Sequence, residues 1–180
     1  MGKIVSNFFI ALDGVVEAPN EWHFDYFDDD MGAAVGRGME ETDAFLMGRV
    51  LYQEWSDYWP QQPEDVPFAG FINSIPKYVL SSTLNDAAWQ NTTILRNAED
   101  VRRVKEQTAR TIAISGSAST VRSLLAAGLL DELHLLMHPI AVGHGQRLFE
   151  DTPTHPLKLL RSQTFSSGVL DLEYAPAEKG

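Results

Sequence analysis

The chain has 180 residues, of which 44% are hydrophobic, and it contains no cysteine. Its formal net charge of −11 repels nucleic acid phosphates and acidic membrane surfaces, so we expect neither as a partner. The absence of cysteine excludes disulfides, thiolate metal sites and a cysteine nucleophile, and it fits a cytoplasmic protein. The length suits one core of ordinary size. We therefore predict a single domain over 1–175 and a frayed tail at 176–180.

Eight short segments rich in apolar or β-branched residues predict strands. They lie at 3–11, 44–47, 77–81, 92–95, 111–115, 132–138, 158–165 and 169–174. Helical periodicity occurs at 29–41, 67–74, 98–108 and 119–127. The first segment alternates apolar and polar residues, which predicts a strand and not a signal peptide, and no apolar run approaches the ~20 residues of a membrane span. Strands that alternate with helices and end in two successive strands predict a mainly parallel α/β sheet with an antiparallel C-terminal edge.

The segment ISGSAST at 114–120 joins a predicted strand to a predicted helix through small residues. Gly116 lets another molecule approach the backbone at the carboxyl end of that strand. A helix that begins near Ser117 also presents free N–H groups and the positive end of its dipole, which suits a phosphate. The alternative is a tight turn at Gly116 followed by a serine cap, which needs no ligand.

Two other predicted strands end in residues of the same kind. Gly48 and Arg49 follow the strand at 44–47, and arginine supplies a planar cation with several donors for a phosphate. The hydroxyls of Ser81, Ser82 and Thr83 follow the next strand. A surface salt bridge and a capped turn are the alternatives, and each is favoured when its junction is considered alone. Together, the junctions can hold the two ends of a dinucleotide.

Several ordered motifs resemble the dihydrofolate reductase superfamily. They are FFIALDGVVE, DAFLMGRVLYQEW, KYVLSSTL, ISGSASTVRSLLAAGLLDELHLLMHPIAVGHGQRLF and the closing pair of strands. Within the superfamily, the chain is similar to the branch that includes the C-terminal reductase domain of the bifunctional riboflavin biosynthesis protein. The resemblance covers 3–174. It implies a dihydrofolate reductase-like fold that binds NADPH across the carboxyl edge of its sheet.

By position, the resemblance also implies a set of cofactor-binding residues. Gly48 and Arg49 would lie near the cofactor phosphates, and Ser81 and Ser82 near the adenosine phosphate. The pyrophosphate would lie near Gly116, Ser117, Ala118 and Ser119. Ser117 stands where many members have a second glycine.

Carboxylates in the first third of the chain are the candidate catalytic groups. Asp13 opens the segment LDGVVEAPNEW at 12–22, which we predict to be a lid over the nicotinamide and substrate, with Asp13 in contact with substrate. Dihydrofolate reductases use a carboxylate in their first helix, and Asp30 is our candidate for that role. Spacing alone does not choose among Asp25, Asp28, Asp29 and Asp30. The favoured alternative is a solvated first helical turn, in which aspartates stabilise the helix dipole.

Histidines and apolar segments add two expectations. His134 and His138 are evenly spaced and could bind a metal together with His144, but no carboxylate is aligned with them, so we predict packing histidines and no metal. The apolar segment 133–142 exceeds what a small domain needs to cover itself, and it predicts a symmetric homodimer, as the resembling riboflavin reductases form.

The function predicted from these observations is an NADPH-dependent reductase that transfers a hydride to a small heterocyclic substrate. The nearest specific candidate is the ribosylamino-pyrimidine intermediate of riboflavin biosynthesis. One alternative is a dihydrofolate or pterin reductase. Another is a non-catalytic, dimeric nucleotide-binding module that keeps the fold.

Overall fold

The computed structural model describes residues 1–177, which form one eight-stranded sheet with helices on both faces. The strands are β1 (Lys3–Ala11), β2 (Thr42–Gly48), β3 (Lys77–Leu80), β4 (Thr92–Leu95), β5 (Thr111–Ser115), β6 (Glu132–His138), β7 (Leu157–Thr164) and β8 (Leu170–Pro176). They are ordered β4-β3-β2-β5-β1-β6-β8-β7 across the sheet. The first six are parallel, and β8 runs antiparallel to both β6 and β7. The predicted sheet with its antiparallel C-terminal edge is confirmed.

The helices are α1 (Asp29–Glu41), α2 (Arg49–Tyr58), α3 (Pro67–Ser74), α4 (Ala98–Gln107) and α5 (Ala118–Ala126). The four predicted helical segments match α1, α3, α4 and α5. The sequence predicted only an amphipathic turn after Gly48, whereas α2 is a ten-residue helix. Short 3-10 turns occur at Pro19–Glu21, Phe24–Tyr26 and Trp59–Gln61.

Alternation along the parallel strands divides the core between the two faces of the sheet. On one face, Ile4 and Phe8 of β1 pack with Val101 of α4 and Val121 of α5. On the opposite face, Phe45 and Met47 of β2 pack with Tyr52 of α2 and Ile72 of α3. Met31 of α1 packs on this second face with Phe9 and Val169.

The end of the chain continues the sheet further than the sequence predicted. Pro176 is the last residue of β8, and the amide of Ala177 donates to the carbonyl of Pro156. The first two residues of the predicted tail therefore belong to this edge, and the rest of it, 178–180, lies outside the described residues. Within the described part of the chain, no helix is both long enough and apolar enough to cross a membrane.

Most of the apolar segment 133–142 is covered within the molecule, while Pro139 and Ala141 are exposed. Its strand β6 is flanked by β1 and β8, and Leu133 and Leu135 are buried in the core. The surplus of apolar residues that suggested a dimer is therefore used within one chain, and the homodimer stays a prediction.

Candidate functional site

The carboxyl ends of the parallel strands meet at one edge of the sheet, which we call the carboxyl edge. The register pairs Gly48 of β2 with Leu80 of β3, and Leu80 with Leu95 of β4. On the other side of β5, Ala11 at the end of β1 is paired with His138 at the end of β6. The predicted junctions after β2, β3 and β5 are thus brought to the same edge.

Gly48 and Ser117 join two of these junctions directly. The amide of Gly48 donates to the hydroxyl of Ser117 at 3.0 Å. A Cβ placed on Gly48 would lie 2.7 Å from Oγ1 of Thr120, so the glycine is needed for the close approach of β2 and α5. The starts of α2 and α5 therefore form one structural unit.

The start of α5 has no side-chain cap. Gly116 and Ser117 are both left-handed, with φ of 64° and 54°, and Ser117 makes no side-chain bond to an amide of the helix. The alternative of a serine cap at Ser117 is therefore wrong. By helix geometry, the first-turn amides of Ala118 and Ser119 have no acceptor within α5. A left-handed serine is a strained conformation of the kind that is concentrated at ligand sites.

The start of α2 is uncapped in the same way. Its N-cap residue is Gly48, which has no side chain to offer the first-turn amides. Arg49 is exposed, and its Nη1 donates to Oε1 of Gln53 at 3.1 Å. Within residues 1–177, Arg49 forms no ion pair, although the chain carries a large excess of carboxylates. It is a cation available to a ligand.

An arginine that the sequence prediction missed is bonded to the junction after β3. The buried hydroxyl of Ser81 accepts bonds from the amides of Thr83 and Leu84, so it caps the turn as the structural alternative predicted. Ser82 is exposed beside it. Nη1 of Arg96, directly after β4, donates to the carbonyls of Ser81 and Leu84 at 3.1 and 2.6 Å. Arg96 would have been found by applying the argument made for Arg49 to the next strand end.

Asp13 connects the segment after β1 to the loop after β6. Its Oδ2 accepts from the amide of Gly143 at 2.7 Å, and its carbonyl accepts from Nε of Arg147. The bond from the Gly143 amide lowers the pKa of this carboxyl below its usual value. Oδ1 is buried without a partner. Asp13 therefore holds two loops of the carboxyl edge together, and its contact with substrate stays a prediction.

Asp30 lies in the first turn of α1, next to the hairpin turn between β7 and β8. Its Oδ2 accepts from the amide of Ser166 at 3.2 Å. Asp28 is the N-cap of α1, and Oδ2 of its carboxylate accepts from Ser166 Oγ and from the Ser167 amide. The bond from the Met31 amide is the main cause that lowers the pKa of Asp28 to about 2. These carboxylates fasten α1 to the hairpin, and the catalytic role of Asp30 stays a prediction.

The three histidines considered as metal ligands are separate. Nε2 of His134 lies 3.0 Å from Oε2 of Glu132, His138 is fully buried, and His144 is exposed. Residues 1–177 contain no cluster of three or more His, Asp or Glu side chains that could hold a metal ion.

A cavity of about 840 Å³ lies away from the candidate residues, beside α2 and α3. Tyr52, Asn73 and Trp89 line it, and no residue of the predicted cofactor site does. Nearby, burial lowers the pKa of Lys77 to about 8, but its Nζ donates to the carbonyls of Ile72 and Ile75. Because the ammonium of Lys77 already has hydrogen-bond partners within the protein, it is not free to bind a ligand. The carboxyl edge is therefore the stronger candidate site.

Residues 2–170 match the RibD C-terminal domain family. An uncharacterized protein, YyaP of Bacillus subtilis (strain 168), is 32% identical over an alignment of 181 positions that covers 96% of this chain and 94% of the relative.

Three solved structures share the fold. A putative riboflavin biosynthesis protein from Shewanella sp. PV-4 superposes with a TM-score of 0.74 at 18% identity, covering 98% of this chain and 99% of its own. A pyrimidine reductase-like protein from Corynebacterium diphtheriae gives 0.64 at 16% identity, with 98% and 92% covered. Dihydrofolate reductase from Enterococcus faecalis, complexed with NADP(H) and RAB-propyl, gives 0.67 at 13% identity, with 98% and 97% covered.

Proposed function

The chain belongs to the RibD C-terminal domain family of the dihydrofolate reductase superfamily, and on that premise we propose that it is an NADPH-dependent reductase of a small heterocyclic substrate. The observation that carries the proposal is the pair of uncapped helix starts, α2 and α5, joined through Gly48 and Ser117. Two open helix N-termini side by side offer amide donors and positive dipole ends to a diphosphate. The Enterococcus faecalis enzyme of the same fold was solved with NADP(H), which supports this choice of cofactor.

The residues of the chain divide the binding of the cofactor among three strand ends. The first-turn amides at Ala118 and Ser119 bind the pyrophosphate. Arg49, Ser82 and Arg96 bind the 2′-phosphate of NADPH. Ser81 keeps the turn that presents Ser82, since its own hydroxyl is occupied by two backbone amides.

The bound cofactor supplies a hydride, and the protein supplies orientation and exclusion of water. Ala11 and His138 end the two strands that form the substrate side of the carboxyl edge. The segment that follows β1 is fastened there, because the amide of Val16 donates to Gln146 and that of Leu148 donates to Gly14. Together with the Asp13 contacts, these bonds fix the first part of the predicted lid next to the loop after β6.

The substrate is proposed to be a heterocycle of the pyrimidine or pterin type, with the ribosylamino-pyrimidine intermediate of riboflavin biosynthesis as the first specific candidate. The carboxylates of Asp28 and Asp30 are engaged by the turn at Ser166 and Ser167, which disfavours the dihydrofolate alternative.

Consumption of NADPH by the purified protein tests the proposal. Nicotinamide absorbance should fall when the ribosylamino-pyrimidine, 7,8-dihydrofolate or another small heterocycle of a panel is added, and at least one compound should turn over. Binding of NADPH without turnover of any member of the panel would favour the non-catalytic module. Absence of NADPH binding would contradict the reductase altogether.

A further inference from the structure

Five side chains pack together at the substrate side of the carboxyl edge, and we call this group the histidine cage. Its members are Phe9, Trp22, His23, Tyr26 and His138. The ring of His138 lies 5.2 Å from Trp22, 5.6 Å from Tyr26, 5.9 Å from Phe9 and 6.1 Å from His23, measured between centroids. His23 stacks on Phe9 at 4.5 Å. Aromatic rings thus surround His138 on several sides.

His138 presents an unused hydrogen-bond acceptor within this cage. Its Nδ1 lies 2.8 Å from the carbonyl of Leu136, so Nδ1 carries the proton. Burial lowers the pKa of the ring, which keeps it neutral at pH 7. In a neutral ring with Nδ1 protonated, Nε2 is an acceptor. Nε2 has no hydrogen-bond partner within the described part of the protein, and the residue has no exposed surface through which solvent could supply one.

His23 adds a second unpartnered nitrogen to the same cage. Its Nδ1 is buried and without a hydrogen bond, and the residue is 7% exposed. An unpaired buried polar atom is unfavourable, and native structures contain few of them. Two such atoms on neighbouring rings at the end of β6 indicate that a missing donor completes the site.

The cage is placed where a substrate of the proposed reaction would meet the cofactor. His138 is the last residue of β6 and is paired with Ala11, the last residue of β1. In the strand order β5-β1-β6, it lies two strands from Gly116, which is about 10 Å at ordinary strand spacing. One end of a flat ligand can therefore reach the cage while the other lies near the nucleotide junctions.

The segment 18–27 covers the cage and is not hydrogen-bonded through its amides to the rest of the described chain. It supplies Trp22, His23 and Tyr26, and every backbone hydrogen bond donated by its described residues has an acceptor inside the segment. Trp22 Nε1 donates to the carbonyl of Glu17, which directly precedes the segment. Phe24 and Phe27 are 64% and 48% exposed on the same segment. Lifting it exposes aromatic surface without breaking any ladder of the sheet.

We propose that the histidine cage is the substrate subsite and receives an uncharged, planar nitrogen heterocycle whose ring N–H donates to Nε2 of His138. The aromatic walls stack on the ring, and the segment 18–27 closes over it. The inference rests on the proposed reductase function, since it names the class of substrate for that reaction. A ring whose nitrogens are alkylated lacks the donor and is excluded.

Two pteridines that differ only in these donors test the proposal. Lumazine carries ring N–H groups and 1,3-dimethyllumazine does not. The wild-type protein should bind lumazine more tightly by about tenfold or more, since a buried acceptor is left unpaired with the dimethyl compound. His138→Phe should bring the ratio of the two affinities close to one. His138→Gln, which retains an acceptor, should keep part of the preference.

His134→Phe is the matched control. His134 lies on the same strand and face, but its Nε2 is already paired with Glu132. This variant should keep the preference of the wild type. A direct readout uses protein with ¹⁵N-labelled histidine, in which lumazine should shift the Nε2 resonance of His138 and 1,3-dimethyllumazine should not.

The outcomes separate this inference from the proposed function. NADPH binding is measured on the same samples, and its absence from the wild type would contradict the reductase. If NADPH binds but lumazine does not, or if the preference for lumazine survives in His138→Phe, the cage is not the subsite and the reductase stands. If His138→Phe fails to fold, the Nε2 shift in the wild type decides: a shift supports the subsite, and an unmoved resonance with bound lumazine overturns it.

Discussion

Arg49 is an exposed cation with no ion pair in the described chain, next to a helix start that lacks a side-chain cap. We expect Arg49→Ala to weaken NADPH binding by about ten- to a hundredfold, the effect of losing one charge-assisted contact, and to change NADH binding little. Fluorescence titration of the two nucleotides measures this. Arg110→Ala is the control, because Arg110 pairs with Asp43 at the opposite end of the strands. Equal losses for NADPH and NADH would remove Arg49 from the 2′-phosphate site.

Gly48 is a packing position as well as a proposed ligand position. In Gly48→Ala the new Cβ would meet Oγ1 of the buried Thr120 at 2.7 Å, so we expect a loss of about 1–3 kcal/mol in the free energy of unfolding. Thr120→Ala in the same chain should recover part of it. Gly38→Ala, in α1, has open space around the new Cβ and should instead stabilise by up to about 1 kcal/mol. Urea denaturation compares the variants, and an unchanged Gly48→Ala would contradict the contact.

His138 couples stability to pH. Burial lowers the pKa of His138 and of His23 from 6.5, so the unfolded chain takes up protons first as the pH falls. The contribution of these two neutral rings to the free energy of unfolding is fully present above pH 6.5. It is lost as the pH falls through their lowered pKa values in the folded chain. His138→Phe should make this decline shallower. Urea midpoints measured above and below pH 6.5 give the slope, and a slope equal to that of the wild type would show that His138 does not carry it.

The same substitution distinguishes a functional histidine from a structural one. His138→Phe loses the bond to Leu136, worth about 1 kcal/mol, but it removes an unpaired buried acceptor that costs about 1–3 kcal/mol. At pH 8 we therefore expect the free energy of unfolding to stay equal or to rise. A large loss of stability would indicate that the ring is present for packing.

For individual residues, the sequence predicted those that directly follow strands and missed the pairings between positions far apart in the chain. The Gly48-Arg49 and Gly116-Ser117 junctions carry local signals, and Arg96 carries one that was not used. The partner of Asp30 is Ser166, and that of Asp13 is Gly143. Each pair is more than a hundred residues apart, and spacing within one segment holds no information on such a contact.

Among the elements, the junction of α1 with the β7–β8 hairpin depends on Asp28. Its pKa is lowered to about 2, chiefly by the Met31 amide, so its contribution is fully present above pH 3.8 and is lost as the pH falls towards 2. We expect Asp28→Asn to lower the free energy of unfolding at neutral pH and to flatten the acid slope in that window. Asp29→Asn, in the same first turn, is the control. Urea unfolding at neutral and acid pH compares them, and identical acid slopes in Asp28→Asn and the wild type would contradict this role.

Most strands and helices could be predicted because periodicity and Gly, Pro, Asp and Ser boundaries are local signals. Helix α2 was missed as a full helix because it follows β2 with no loop and has no capping side chain to mark its start. The predicted lid at 12–22 has two parts in the structure, a first part that is bonded to the loop after β6 and a second part that belongs to the segment 18–27. Its first part pairs with the loop after β6 through Val15 and Arg147, a long-range contact that local sequence does not encode.

For the whole molecule, the resemblance to the dihydrofolate reductase superfamily and its RibD branch is confirmed by the family match and the shared fold. The homodimer is a separate prediction. Strand β7 is an outer strand of the sheet, and the register shift between Leu159 and Arg161 leaves the consecutive residues Leu159 and Leu160 about half exposed. An exposed apolar edge strand favours pairing with another copy.

Light scattering tests the dimer. We expect twice the 20.0 kDa mass of one chain at micromolar concentration, and Leu160→Lys should shift the protein to the monomer. Lys158→Glu, on the same strand, exchanges one exposed charge for another and should leave the mass unchanged. A monomer in the wild type would contradict the prediction, while the proposed cofactor site, which follows β2, β3 and β5 and lies at least three strands from β7, would be unaffected.

Stabilisation by NADPH is the most direct test of the central claim that the carboxyl edge binds this cofactor. A ligand that binds only the folded chain adds about 2.7 kcal/mol to its stability at about 100 times its dissociation constant. Thermal unfolding followed in rising NADPH should therefore move steadily to higher temperature, with a smaller shift for NADH and for the Arg49→Ala variant with NADPH. An unfolding temperature that does not change in millimolar NADPH would contradict the account.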